Sequence, residues 1–131
     1  DLISGKRLSL GADHSLDLNC PWGKTRLIGL YPANPRGLSL TGLPNSAKAG
    51  DTVKYTLKLG GRAIRGNYRV EVTVTGPDGK RREAFSGRTS TRHAECTRTV
   101  RLPINAPKGT WRVQTRSLWD GARAEGRFQV R

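Results

Sequence analysis

The sequence predicts an all-β protein: an immunoglobulin-like, Greek-key β-sandwich of about seven strands with an N-terminal β-extension. Three observations point there. Apolar and polar residues alternate with period two in run after run, as in Asp51 to Leu59, Tyr68 to Val74 and Gly109 to Leu118. Glycine- and proline-rich turns separate these runs at short, regular intervals, and no stretch carries the 3.6-residue period of an amphipathic helix.

Residues 1–34 read as the β-rich extension. Ser4-Gly5-Lys6 is a turn, Arg7 to Leu10 a short run, and Ser15 to Asn19 alternates with Leu16 and Leu18 on one side. After the loop Cys20-Pro21-Trp22-Gly23, the run Thr25 to Tyr31 has Leu27, Gly29 and Tyr31 on one side and Ile28 and Leu30 on the other. A strand apolar on both faces is usually covered on both, so this one is expected to pack against more than its own hairpin. Pro32 to Gly37, with two prolines and a glycine, reads as a linker, and residues 35–131 as the sandwich.

Within the sandwich, Leu38 to Leu43 is a first strand. Ala47 to Gly50 turns the chain into Asp51 to Leu59, with Val53, Tyr55, Leu57 and Leu59 inward and Lys54 and Lys58 outward. Tyr68, Val70, Val72 and Val74 line the next strand, against Arg69, Glu71 and Thr73. Gly76-Pro77-Asp78-Gly79 is a turn with proline second and glycine fourth. Arg82 to Ser86 reads as a short edge strand, Gly87 to Arg92 as polar loop, and Glu95 to Leu102 as a fifth strand. The chain closes with a hairpin whose strands, Gly109 to Leu118 and Arg123 to Val130, flank Trp119-Asp120-Gly121-Ala122. Trp111, Val113 and Thr115, with Ala124, Gly126, Phe128 and Val130, take the inner face. Arg112, Gln114 and Arg116, with Arg123, Glu125, Arg127 and Gln129, take the outer one.

The chain's 131 residues suffice for one ordinary core plus an appendage. No apolar run reaches the ~20 residues of a membrane helix. Asp1 is not preceded by a start methionine, so the chain is expected to be processed or cut from something larger. A net charge of +14 makes association with polyanions at low salt inevitable, whatever the evolved role. The basic residues are nevertheless spread over every strand, and no RNA-binding aromatic motif, zinc knuckle or helix-turn-helix accompanies them, so nucleic acid is not expected as a specific partner. Cys20 and Cys96 leave two readings open: one long-loop disulfide, or two separate thiols.

The block from Asp51 to Gly79, together with LPINAPKGTWRV and AEGRFQV, resembles bacterial immunoglobulin-like and macroglobulin-like sandwich modules. These commonly carry a V-x-V-x-x-P-D-G-K turn and an L-P-x-x-A-P-x-G-T-W strand start. DLISGKRL followed by LDLNCPWGKTRLIGLYP is similar to the last strands of the small β-domain that closes many glycosidase-like bacterial proteins. In this order the two pieces look like the C-terminal end of a large secreted or periplasmic protein. The resemblance implies a non-catalytic accessory or assembly module, tied to carbohydrate processing, whose partners are other domains of its own parent chain; it brings no catalytic residue and no cofactor. The strong positive charge and Trp22 both depart from the family pattern.

No set of residues declares an enzyme. Asp13-His14-Ser15 has the letters of a hydrolase triad, but consecutive residues cannot face one another in relay geometry. His14 with Cys20 and His93 with Cys96 are zinc-type ligands at spacings that match no common site, so no metal is expected. The carboxylates fall in turns or on outward faces, which gives no acid/base pair. Two binding candidates remain. Arg112, Arg116, Arg123 and Arg127 form a cationic face able to hold an anionic polymer, its alternative being a solvated face moderated by Glu125 and Asp120. Trp22 and Trp119, both placed in loops and therefore expected to be exposed, are candidates for a domain contact or a glycan platform.

Overall fold

The computed structural model describes residues 8–28, 35–61 and 66–131. The chain divides into two compact units, Asp1–Tyr31 and Pro32–Arg131. The second is an all-β, immunoglobulin-like sandwich. Its strands are β1 (Leu38–Thr41), β2 (Ser46–Ala47), β3 (Thr52–Leu59), β4 (Arg69–Thr75), β5 (Gly87–Ser90), β6 (Glu95–Arg101), β7 (Gly109–Ser117) and β8 (Arg123–Val130). A three-stranded sheet, β1-β3-β6, faces a five-stranded sheet, β2-β8-β7-β4-β5. Among the described residues every strand pair is antiparallel except β2 with β8.

The period-two pattern explains the core. Val53, Tyr55, Leu57 and Leu59 from β3 meet Val70, Val72 and Val74 from β4, Trp111 and Val113 from β7 and Phe128 and Val130 from β8, all buried. Trp111 is the hub. Its ring stacks on Phe128 at 6.1 Å and tilts against Phe85 at 6.4 Å. Its indole Nε1 donates to the Pro107 carbonyl at 3.0 Å, and the Arg82 guanidinium lies 5.5 Å from the ring centre.

Two glycines shape the sandwich. At Gly42, where φ is +81°, the chain leaves β1 and crosses to the other sheet as β2. At Gly126 an added Cβ would lie 2.4 Å from a Leu43 methyl and 2.9 Å from a Leu40 methyl, so the missing side chain on β8 lets the β1 edge close over the core.

The structure corrects several expectations. The predicted edge strand Arg82 to Ser86 is a 3-10 turn over Glu83–Phe85, and the segment read as polar loop contains β5, the true edge. Ser86 explains the turn: its hydroxyl donates to the Arg82 carbonyl at 2.8 Å and accepts from the Val74 N–H at 3.0 Å, satisfying backbone groups that a strand would have paired. The first strand ends at Thr41, and a two-residue strand, β2, runs into the first residue of the expected turn, which the Asp51 N–H to Lys48 O hydrogen bond closes.

The largest difference lies in the first unit. Residues 8–28 contain no strand, although Arg7 to Leu10, Ser15 to Asn19 and Thr25 to Tyr31 were expected as such. Among the described residues of this unit the backbone hydrogen bonds are turn bonds, Gly11 N–H to Ser15 O, His14 N–H to Gly11 O and Lys24 N–H to Pro21 O. Alternation supplies a face but no ladder, and among the described residues of this unit no other segment pairs with it. Leu8, Leu10, Leu18, Trp22 and Leu27 are exposed and Ile28 is half-buried. The predicted positions of Arg7, Leu30 and Tyr31, the turn at Ser4-Gly5-Lys6 and part of the expected linker lie outside the described residues.

Candidate functional site

The outer face of the five-stranded sheet collects the predicted arginines. Register places Arg112 opposite Arg127, Gln114 opposite Glu125 and Arg116 opposite Arg123 on β7 and β8. The Ser117 N–H donates to the carbonyl of Ala122, its opposite residue, at 2.8 Å. The alternation of an antiparallel ladder therefore makes all three outward pairs non-hydrogen-bonded ones, whose Cα atoms approach to about 4.5 Å and whose side chains are closest. Two arginine pairs thus stand on one surface, a full four residues apart along each strand.

They are in different electrostatic states. Glu125 fills the first pair: its Oε1 accepts from Arg127 Nε at 3.0 Å and Nη2 at 2.9 Å, and lies 3.3 Å from Arg112 Nε. Gln114 Nε2 donates to the other carboxylate oxygen at 3.1 Å. Hydrogen bonds from Arg127 and Gln114, followed by the charges of Arg112 and Arg127, hold the Glu125 carboxyl below its ordinary range. Among the described residues, Arg116 and Arg123 have no ion-pair partner within salt-bridge distance. Glu71, opposite Arg116 on β4, extends instead toward Arg88 of β5 at 3.9 Å.

Asp120, expected to moderate this face, points into the backbone. Its carboxylate accepts from the Ala122 N–H at 3.0 Å and the Gly37 N–H at 3.1 Å. Burial alone would raise its pKa, but hydrogen bonds from Ser117, Ala122 and Gly37 together outweigh that and lower it. The sheet order adds two residues to the face that strand-by-strand reading did not join to it. Arg69 and Arg88 point outward on β4 and β5; in the order β8-β7-β4-β5, β4 borders the hairpin and β5 borders β4. Outward parity was legible for Arg69, but adjacency to β7 is a property of the topology.

The tryptophans separate. Trp119 is half-buried rather than exposed: it packs on the core with its ring edge-on to Tyr68, 6.5 Å between centroids and 69° between planes. The hairpin loop folds back because the Ser117 hydroxyl and Asp120 bind its backbone. Trp22 is fully exposed in its turn.

The other constellations are structural. Asp13 Oδ1 accepts from the Ser15 hydroxyl at 2.6 Å and the Ser15 N–H at 3.0 Å, a self-contained turn that lowers the Asp13 pKa. Cys20, in the first unit, and Cys96, in the second, each carry a free thiol. Cys20 is directed to the Lys24 carbonyl and Cys96 lies 3.6 Å from the Thr89 hydroxyl. Among the described residues no three His, Cys, Asp or Glu side chains converge. Tyr55 is buried, which raises its pKa, and among those residues its hydroxyl has no partner. Gly66, Asn67, Ser90, Thr91, Arg92 and His93 line an open cleft of about 410 Å³.

No family profile matches the chain, and no curated protein sequence matches it. Solved structures do. Trypsin-activated alpha-2-macroglobulin from Escherichia coli superposes with a TM-score of 0.61 at 20% identity, over 80% of this chain and 7% of that one. The CARDB domain of a Pyrococcus furiosus protein, solved in complex with di-metal ions, gives a TM-score of 0.49 at 15% identity, over 82% of this chain and 97% of that one. The macroglobulin likeness is one of fold, and this chain spans only a small part of that protein's length.

Proposed function

We propose that the chain is a non-catalytic, immunoglobulin-like module of a larger exported bacterial protein, and that residues 8–28 complete a neighbouring β-domain of the same parent chain. The observation that carries this reading is a stretch patterned as strands that, among the described residues, makes only turn bonds between backbone groups and leaves Leu8, Leu10, Leu18, Trp22 and Leu27 in solvent. Exposed apolar residues at this density mark a surface awaiting a partner. A strand-patterned segment finds it most economically by adding to a sheet, where ladder hydrogen bonds and alternate side chains are satisfied together. The fold likeness to a segment of alpha-2-macroglobulin supports a module within a longer chain. The similarity of the opening to the closing β-domain of glycosidase-like proteins directs the reading toward a carbohydrate-handling parent.

Amide hydrogen exchange tests it, on the isolated chain and on the parent chain extended upstream of Asp1. The expected result is rapid exchange across 8–28 in the isolated chain and strong protection in the longer one. Protection of 8–28 in the isolated chain would show that the stretch completes no other domain.

A further inference from the structure

The two arginine pairs on the β7–β8 hairpin share one design and differ in one respect. Both are directly opposed, outward, non-hydrogen-bonded pairs. Arg112 and Arg127 close on the Glu125 carboxylate, whereas Arg116 and Arg123 have no carboxylate within ion-pairing distance among the described residues. Directly opposed like charges destabilise a sheet, so an unfilled pair is a feature that folding does not favour. The filled pair shows what the geometry accepts: a carboxylate, hydrogen-bonded by Arg127 of β8 and ion-paired with Arg112 of β7.

The surroundings narrow the source of that carboxylate. The face is a sheet surface and not a cavity, which suits an extended polymer better than a small molecule. Between and beside the pairs it presents the amide and hydroxyl groups of Gln114, Thr73, Thr75, Thr110 and Gln129, of which Gln129 and Thr110 already hydrogen-bond each other at 2.9 Å. Leu118 is its one exposed large apolar residue among those described. A protein interface would need aromatic or aliphatic anchors, and single-stranded nucleic acid would need aromatic platforms for its bases. Guanidinium pairs set in a carpet of hydroxyls and amides match a chain that carries carboxylates and hydroxyls together.

We propose that Arg116 and Arg123 form a carboxylate-binding site for a uronate-containing polysaccharide, whose carboxylate stands between them as Glu125 stands between Arg112 and Arg127. Arg69, on the neighbouring strand β4, raises the local positive potential along the same surface, while Arg88 on β5 is balanced by Glu71. The site is independent of what residues 8–28 pack against, so either reading can fail without the other.

The test is affinity electrophoresis or calorimetry of the full chain against polygalacturonate at about 0.15 M salt, where weak surface attraction is largely screened. Fully methyl-esterified polygalacturonate, poly-L-glutamate and dextran sulfate are the comparators. Arg116→Gln/Arg123→Gln is measured beside a charge-matched control on the other sheet, Lys54→Gln/Arg101→Gln. The expected result is binding that disappears on methyl esterification, falls at least about tenfold in R116Q/R123Q and is unchanged in the control. Three results would each overturn the proposal: no binding of polygalacturonate, equal loss in both double variants, or binding of poly-L-glutamate or dextran sulfate as tight as that of the uronate.

Discussion

If Arg116 and Arg123 repel one another in the free protein, replacing one of them should stabilise the fold. The cleanest substitution is Arg123→Glu, because Arg123 sits on β8 with Arg116 as its partner on β7, whereas Arg116 also faces Glu71 on β4. Two unit charges roughly 6 Å apart in a surface pair interact by about 0.7 kcal/mol in water, and screening at physiological salt reduces this by roughly half. Removing the repulsion and replacing it with an attraction of similar size gives about 0.7 kcal/mol at that salt and about 1.4 kcal/mol at low salt, a little above the usual range for exposed pairs. For a domain of this size each kcal/mol moves Tm by about 4–8 °C, so R123E should melt about 3–6 °C higher than the parent chain at physiological salt. R123Q should gain about half as much. R116E should gain less than R123E, since it introduces a carboxylate opposite Glu71.

Thermal unfolding followed by fluorescence reads this well. Trp111 is buried and moves into solvent on unfolding, while Trp22 is fully exposed in the folded chain and contributes an almost constant signal. The salt dependence is the sharper observable: the advantage of R123E should grow at low ionic strength and vanish near 1 M. An R123E variant that melts below the parent chain, or whose advantage ignores salt, refutes the view that the pair is uncompensated. Gained stability together with lost uronate binding would identify the pair as a place where function is kept at the expense of the fold.

Two further outcomes follow from the packing and the carboxylates. Trp111→Ala should destabilise the sandwich by about 3–5 kcal/mol in urea titration, since it removes the ring between Phe128 and Phe85 and strands the Pro107 carbonyl; a cost below about 1 kcal/mol would show that Trp111 is not the hub. Glu125, Asp78 and Asp120 all have pKa values lowered in the folded chain, by hydrogen bonds from Arg127, from the Lys80 N–H and, against the opposing effect of burial, from Ser117, Ala122 and Gly37 respectively. Their stabilising contribution is complete above the ordinary carboxylate range near pH ~4 and is lost as pH falls through the lower folded values, so Tm should hold from pH 7 to about 5 and drop below that; a Tm unchanged down to pH 3 would contradict the assignment.

The long strands were legible because each is apolar on one parity and polar on the other, so a single period sorts every side chain of β3, β4, β7 and β8. The misread segments are those where alternation and pairing part company. β5 places only Gly87 and Thr89 inward, and is a strand because β4 offers it an edge, from Arg69–Ser90 to Val72–Gly87. Ala84 and Phe85 supplied an apolar signal for a strand one segment too early, yet Phe85 reaches Trp111 from a 3-10 turn. In residues 8–28 the pattern is present, but among the described residues no partner strand pairs with it. Alternation is a requirement for burying one face of a sheet; the sheet itself needs a second strand.

The arginine face shows the same limit at finer scale. Its outward parity was plain in the hairpin, but charge alone gave Glu125 and Asp120 equal parts in moderating it. Geometry divides them. Asp120 is drawn into the loop because the Gly37 and Ala122 N–H groups need an acceptor there, and a carboxylate so placed offers little to guanidinium groups on the sheet. Glu125 stands two residues from both Arg123 and Arg127, and the direction in which its side chain leans along β8 decides which pair it neutralises. It leans to Arg127, with Gln114 holding its second oxygen. Gln114 is the residue of the opposite strand that shares this hold with Arg127: in Gln114→Leu the carboxylate loses one of its anchors and becomes freer to swing toward Arg123, and the uronate affinity of the Arg116–Arg123 pair should then fall although neither arginine has been touched. Undiminished affinity in Q114L would mean that Arg127 alone holds Glu125 in place.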